Sequence, residues 1–280
     1  MFISKVKRFT WKFFQYFSLI LFSFIALLPV VSCVVTAFKT ETEYINTNVM
    51  DMPESWLNIQ NFIDAFVKAD MGRAFINSTI ILFFVVLGSV MIGSMLAYVL
   101  NRFKFPGNEL IRSLFLFATL LPGIAMQVST YQLMYSIGFI DSLFGYIILS
   151  MGTDVIAIYV FIQFFENIPT SLDESAFMDG ASYFTIFFKI LFPLLKPAIV
   201  TVAILKGVGT YNEYYNANLY LQSEKLKTIA LSLYTFTGPL GNKYNLICAG
   251  VIISLIPALI VFILFQKQIY SGLTAGAVKG

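Results

Sequence analysis

The sequence predicts an all-α membrane protein with six transmembrane helices and both termini on the cytoplasmic side. Three observations predict it. Of the 280 residues, 58% are hydrophobic, 17% are aromatic and only 12% are charged, whereas a soluble domain carries about 25% charged residues. Apolar runs of the length needed to cross a bilayer, roughly 18 residues or more, recur along the chain. Lys and Arg gather in the leading segment and in the connection after the second run, as cytoplasmic segments do.

Taken in order, residues 1–12 form a cytoplasmic tail holding Lys5, Lys7, Arg8 and Lys12. Phe13–Phe38 is the first transmembrane helix. Residues 39–73 form an extracytoplasmic connection, in which Glu41, Glu43, Asp51, Glu54, Asp64 and Asp70 outnumber Lys68 and Arg73. Ala74–Leu100 is the second span, followed by Arg102, Lys104 and Arg112. Leu114–Phe139 is the third, interrupted at Pro122 and Gly123, and Leu143–Phe165 is the fourth, with Asp154 inside it. Ala198–Val208 seeds the fifth. It carries Lys206 and then turns polar in GTYNEYYNANLYL. Leu246–Phe265 is the sixth, and residues 268–280 form a cytoplasmic tail. Counting the fifth span preserves the charge alternation, although Lys225, Lys227 and Lys243 in the 223–244 connection run against it.

The charged start followed by an apolar run imitates a signal peptide, but the run far exceeds an h-region of about 7–15 residues. Val-Val-Ser-Cys33 imitates a lipoprotein box, yet cleavage there would open the chain inside its first span. Cys33 and Cys248 both fall in apolar runs, where free thiols are expected.

Enzymatic chemistry is not expected. No phosphate-cradling G-x-x-x-x-G-K-[ST] occurs and there is no histidine, which removes the most usual general base and imidazole metal ligands. No catalytic residue, metal or cofactor of its own is expected, and no nucleic-acid partner. Transport through the cytoplasmic membrane is, driven by an ion gradient or by another polypeptide.

One polar segment stands out, LDESAFMDGASYFTIFFKILFPLLKP from Leu172 to Pro197. Ser171-Leu-Asp-Glu174 has the form of a capping box, with Ser171 as the cap, and Asp173 and Glu174 suit the positive end of a helix. Gly180 is a natural stop. A second helix is expected from Ser182, with Phe184, Phe187, Phe188 and Leu191 as its apolar face and Pro193 and Pro197 ending it. Ser175, Ala176 and Ala181 permit close approach. Such a helix pair fits either a groove on a partner protein or the lipid interface.

The spacing E-S-A-x-x-x-G-x₉-I-L-F-P, from Glu174 to Pro193, resembles the EAA loop of ABC importer permeases, with Ser175 for an alanine and Phe192 for a leucine. The ending GLTAGAVKG and Tyr211-Asn212-Glu213-Tyr214 are similar to the carbohydrate-uptake, maltose-type branch, which tends to have W-N-E-F there. The resemblance runs from about Met71 to the end and implies a type I ABC importer transmembrane core over 71–267. Within it, 166–197 would be a cytoplasmic coupling loop that docks on a separate ATPase through Glu174, Ser175, Ala176, Asp179, Gly180, Ile190 and Pro193. Thr274, Gly276 and Lys279 of the tail would also reach the ATPase, although a Gly/Thr/Ala tail by itself reads as disordered. The implied partners are a second permease, two ATPase copies holding ATP and magnesium, and an extracytoplasmic binding protein delivering a sugar.

For the substrate pathway the sequence offers Gln127, Thr130, Tyr131 and Tyr135 on the third span and Tyr211, Asn212 and Glu213 on the fifth. Polar side chains in spans face a bundle interior or a water-filled cavity, or bond neighbouring helices together. For Lys206 three readings stay open: lining the same route, snorkelling to the interface, or pairing with Asp154. Neutral amide, hydroxyl and aromatic groups suit a sugar, and the expected cargo is a di- or oligosaccharide; glycerol phosphate or a polyol are alternatives. Two rival functions remain: an ion-driven secondary transporter using Asp154 and Glu213, and a membrane scaffold.

Overall fold

A computed structural model describes residues 2–152, 154–238 and 241–277, with side chains described from Trp11 to Gln268. Among the described residues the structure is helical and contains no strand. Three helices cross a membrane unbroken by length and composition: Trp11–Phe38, Met71–Arg102 and Tyr244–Gln268. Three bent helix pairs bring the number to six if each pair is one span.

Each break has a local cause. In the third span, Asn108–Leu120 and Gly123–Ser136 meet at 100°. Pro122 supplies no N–H and holds Leu121 extended (φ −73°, ψ 124°), so the helix cannot run through. The fourth span stops at Met151 and restarts at Val155, where the Asp154 carboxylate accepts from the Ala157 N–H at 3.1 Å. The lone acid of that span is therefore a helix cap within the broken span. In the fifth, Tyr183–Leu194 and Lys196–Asn212 meet at 76° around Leu195, between Pro193 and Pro197.

The chain divides into two compact units, 1–71 with 233–257, and 72–232 with 258–280. In the first, the acidic connection is folded. Thr40 and Glu43 form a reciprocal capping box. The buried Lys39 ammonium donates to Thr47 Oγ1 at 2.9 Å and to the Asn48 carbonyl at 2.6 Å. Buried Asn61 donates to the Ala37 and Lys39 carbonyls and accepts from Asn245. Cys33 and Cys248 are free, and the Cys33 thiol donates to the Cys248 carbonyl at 3.6 Å.

The core of the second unit joins what the coupling loop would have to move. Val90, Ala97 and Leu100 of the second span pack with Ile158, Phe161, Ile162 and Phe165 of the fourth. Ala198 and Val202 of the fifth and Ile186, Phe187 and Leu191 of the polar segment complete the cluster. Gly93 permits the contact, since a Cβ there would lie 3.1 Å from that of Ala157.

The last helix runs on to Ala277, through Thr274 and Gly276. The disorder that a Gly/Thr/Ala tail suggests by itself is not seen as far as Ala277: extending an existing helix adds one hydrogen bond per residue ordered and needs no new nucleus. Lys279 lies outside the described residues.

Candidate coupling loop and transport cavity

The polar segment folds as two short helices around a glycine. The first spans Ser171–Met178. Its cap is Thr170, in helical geometry and without a side-chain bond, so Ser171 does not form the expected capping box. The helix begins one residue early because Asp173 and Glu174 N–H groups both find the Thr170 carbonyl. Asp173 and Glu174 do occupy its first turn.

Its far end closes as a Schellman motif, with the Ala181 N–H on the Ala176 carbonyl and the Gly180 N–H on the Phe177 carbonyl, both at 3.0 Å. Gly180 takes φ +83°, where a β-carbon is disfavoured. A Cβ there would meet nothing within 4 Å, so the cost of replacing it is conformational. Gly180→Val is expected to destabilise the loop by about 1–2 kcal/mol, and Gly180→Asn by much less. Thermal unfolding of the detergent-solubilised protein checks the difference.

The second helix starts where expected, with Ser182 Oγ accepting from the Thr185 N–H. From Ile186 to Leu191 it widens to a π-helix, the Phe192 N–H reaching the Phe187 carbonyl, just before Pro193. The wider turn changes the expected face: Ile186, Phe187 and Leu191 are buried, whereas Phe184 and Phe188 are exposed. Ile190 is half-buried and Pro193 exposed.

Two surfaces result. Ala176 is buried and Ala181 packs beneath it on the core, so these small residues seat the loop on its own protein. Glu174, Ser175, Phe177, Met178, Asp179 and Gly180 are exposed, with Met178 86% accessible. Tyr183 packs on Phe177 and Phe103. A clamp that sequence reasoning missed lies at the base of this helix: Arg102, at the end of the second span, places Nε 2.6 Å from Asp173 Oδ2, out of line for a hydrogen bond. The same guanidinium donates to the Ile168 carbonyl at 2.8 Å and lies over the Phe165 ring.

A cavity of about 800 Å³ lies among the third, fourth and fifth spans. Of the residues the sequence offered for a pathway, Gln127, Thr130 and Glu213 line it, together with Tyr146, Ser150, Tyr215, Asn216 and Tyr220. Lys206 and Asp154 line it too and pair at 3.3 Å, so Lys206 does not snorkel away. Glu213 accepts from the Asn216 N–H at 2.9 Å, and Tyr215 donates to Gln127 Oε1 at 2.8 Å. Tyr131 borders an adjoining cleft and accepts from Gln222. Tyr135, Tyr211 and Asn212 stand outside the cavity lining: Tyr135 is 72% accessible, and the Asn212 amide turns back to the Val208 carbonyl at 3.0 Å. Asn216 and Tyr215 had a signal, the polar run after Glu213, but it did not specify which side faced inward.

The Lys206–Asp154 pair is partly shielded, and removing one member leaves a charge without its counterpart. Lys206→Met is expected to lower stability by about 1 kcal/mol and to depress transport. Adding Asp154→Asn, which keeps the helix cap, is expected to recover the stability in a double-mutant cycle.

Helices broken around a polar cavity, with a rigid helical loop beside them, define a transport subunit of the membrane. Residues 89–274 match the family described as "binding-protein-dependent transport system inner membrane component", and the chain belongs to it. It is 31% identical over 260 residues to an arabinooligosaccharides transport system permease protein of Halalkalibacterium halodurans, covering 92% of this chain and 93% of that one. A probable starch degradation products transport system permease protein of Thermoanaerobacterium thermosulfurigenes is 30% identical, covering 93% and 94%. Among solved structures, a bacterial ABC transporter involved in import of the acidic polysaccharide alginate matches the fold with a TM-score of 0.79 and 21% identity, covering 92% of this chain and 95% of that one. The chain is thus a multi-pass ABC importer permease of the membrane.

Proposed function

We propose that this chain is one of two paired permease subunits of an ATP-driven importer, and that it carries a sugar, a di- or oligosaccharide, across a prokaryotic cytoplasmic membrane by alternating access. The observation that carries the reading is the mounting of the polar loop. Its exposed helix is joined through one buried cluster to the second, fourth and fifth spans, so a push on Glu174 or Met178 reaches the cavity walls rather than dissipating in a flexible tether. Two separate ATPase subunits would bind ATP and magnesium, close, and drive the paired loops together. An extracytoplasmic binding protein would deliver cargo to the cavity in the outward-open state, and hydrolysis would return it to the inward-open one. Thr274 and Gly276, on the extended last helix, would lie toward the ATPases, as would Lys279.

The relatives named for arabinooligosaccharides and starch products support a sugar. So does a lining in which Gln127, Asn216 and Glu213 offer partners to hydroxyls and Tyr215 and Tyr220 offer rings to C–H faces. Purification from the native membrane in mild detergent tests the assembly: an ATPase and a second permease are expected to co-purify, whereas recovery of the chain alone or as a homodimer contradicts it.

A further inference from the structure

The cavity lining has a definite charge pattern. Among the described lining residues there is one cation, Lys206, and there are two anions, Asp154 and Glu213. Lys206 is committed to Asp154 at 3.3 Å. Glu213 bonds the Asn216 N–H, a neutral donor, and no described cation lies within ion-pair reach of it. The remaining polar lining, which includes Gln127, Thr130, Ser150, Tyr215 and Asn216, is uncharged. The wall that this chain contributes therefore holds a formal charge of −1.

Resting on the sugar reading above, we propose that Glu213, left uncompensated by the Lys206–Asp154 pair, makes this chain's half of the pathway selective for uncharged sugars against acidic ones. An acidic sugar entering the cavity would meet a carboxylate with no free ammonium to receive its own. A low-dielectric wall strengthens that repulsion, and like charges brought together supply discrimination by penalising the wrong ligand. A neutral sugar meets no such penalty, and its hydroxyls donate to the same carboxylate. The pairing of Lys206 is part of the device, because a free ammonium there would offset Glu213 and admit an anion.

The charge is measured first, independently of cargo. In the assembled importer, with Cys33 and Cys248 replaced by alanine, Ser150→Cys places a thiol on the cavity wall. Its reaction rates with a cationic and an anionic methanethiosulfonate are each normalised to a free thiol. The cationic reagent is expected to react about tenfold faster or more. Glu213→Gln and Asp154→Asn should each bring the ratio toward one, and Glu213→Lys should invert it. A ratio at or below one before these changes, or one unmoved by Glu213→Gln, overturns the inference. In vesicles holding the assembled importer, a neutral oligosaccharide is expected to enter and a uronic-acid oligosaccharide to be refused. Equal entry of both overturns the selectivity while leaving sugar import intact. Entry of neither, with the reagent ratio as expected, overturns the sugar reading and the substrate class with it, while the negative potential stands.

Discussion

Glu174→Arg is expected to abolish uptake, lowering it at least about 100-fold, while the chain still inserts and folds. Glu174 is exposed on the first turn of the loop helix, so its replacement leaves no buried group stranded. The local cost is the loss of an acid near the positive helix end, about 0.5 kcal/mol. The cost at a docking surface is of another order, because reversing a charge against a matched partner places like charges together. The measurement pairs uptake with co-purification: the ATPase should be lost and the second permease retained. Unchanged uptake would remove Glu174 from the docking surface.

The second large effect is at the clamp. Arg102→Gln is expected to cost about 3 kcal/mol and to lower uptake more than ATP hydrolysis, which is the mark of uncoupling. Arg102 holds Asp173, the Ile168 carbonyl and the Phe165 ring together, and so ties the end of the second span to the base of the loop helix. Asp173→Asn is expected to behave differently. Burial pushes the Asp173 carboxyl above its ordinary value, the attraction of Arg102 offsetting part of this. The stability linked to its protonation is complete below the ordinary carboxylate range and is lost as pH rises through the raised value. Asparagine cannot titrate, so the variant should be at least as stable at neutral pH and should lack the gain in stability that protonation of Asp173 gives in mild acid. Unfolding profiles across pH together with the ratio of uptake to hydrolysis check both variants. Uptake and hydrolysis falling equally in Arg102→Gln would make the clamp structural only.

Much of this was legible in the sequence. Apolar runs located the six spans because span length is a property of a contiguous segment, Pro122, Pro193 and Gly180 acted through their own backbones, and Ser182 acted through its own hydroxyl. The Glu174–Pro193 spacing located the loop. What escaped depended on residues far apart in the chain or on register. Arg102 reads as one more basic residue after a span until Asp173 is folded against it, and the Lys206–Asp154 pair was one of several open alternatives until two helices brought the charges together. The expected face of Phe184 and Phe188 failed because a π-turn before Pro193 moved the register. Tyr135 shares the Gly123–Ser136 helix with Gln127 and Thr130 but stands outside the cavity lining, near the helix end, where it is exposed.

The most direct test of ATP coupling is transport in vesicles containing this chain with its co-purified partners and binding protein. Sugar entry should require ATP on the ATPase side and persist when ionophores abolish every ion gradient. Entry that follows a proton or sodium gradient and ignores ATP would contradict that coupling and return Asp154 and Glu213 to the role of ion-coupling groups.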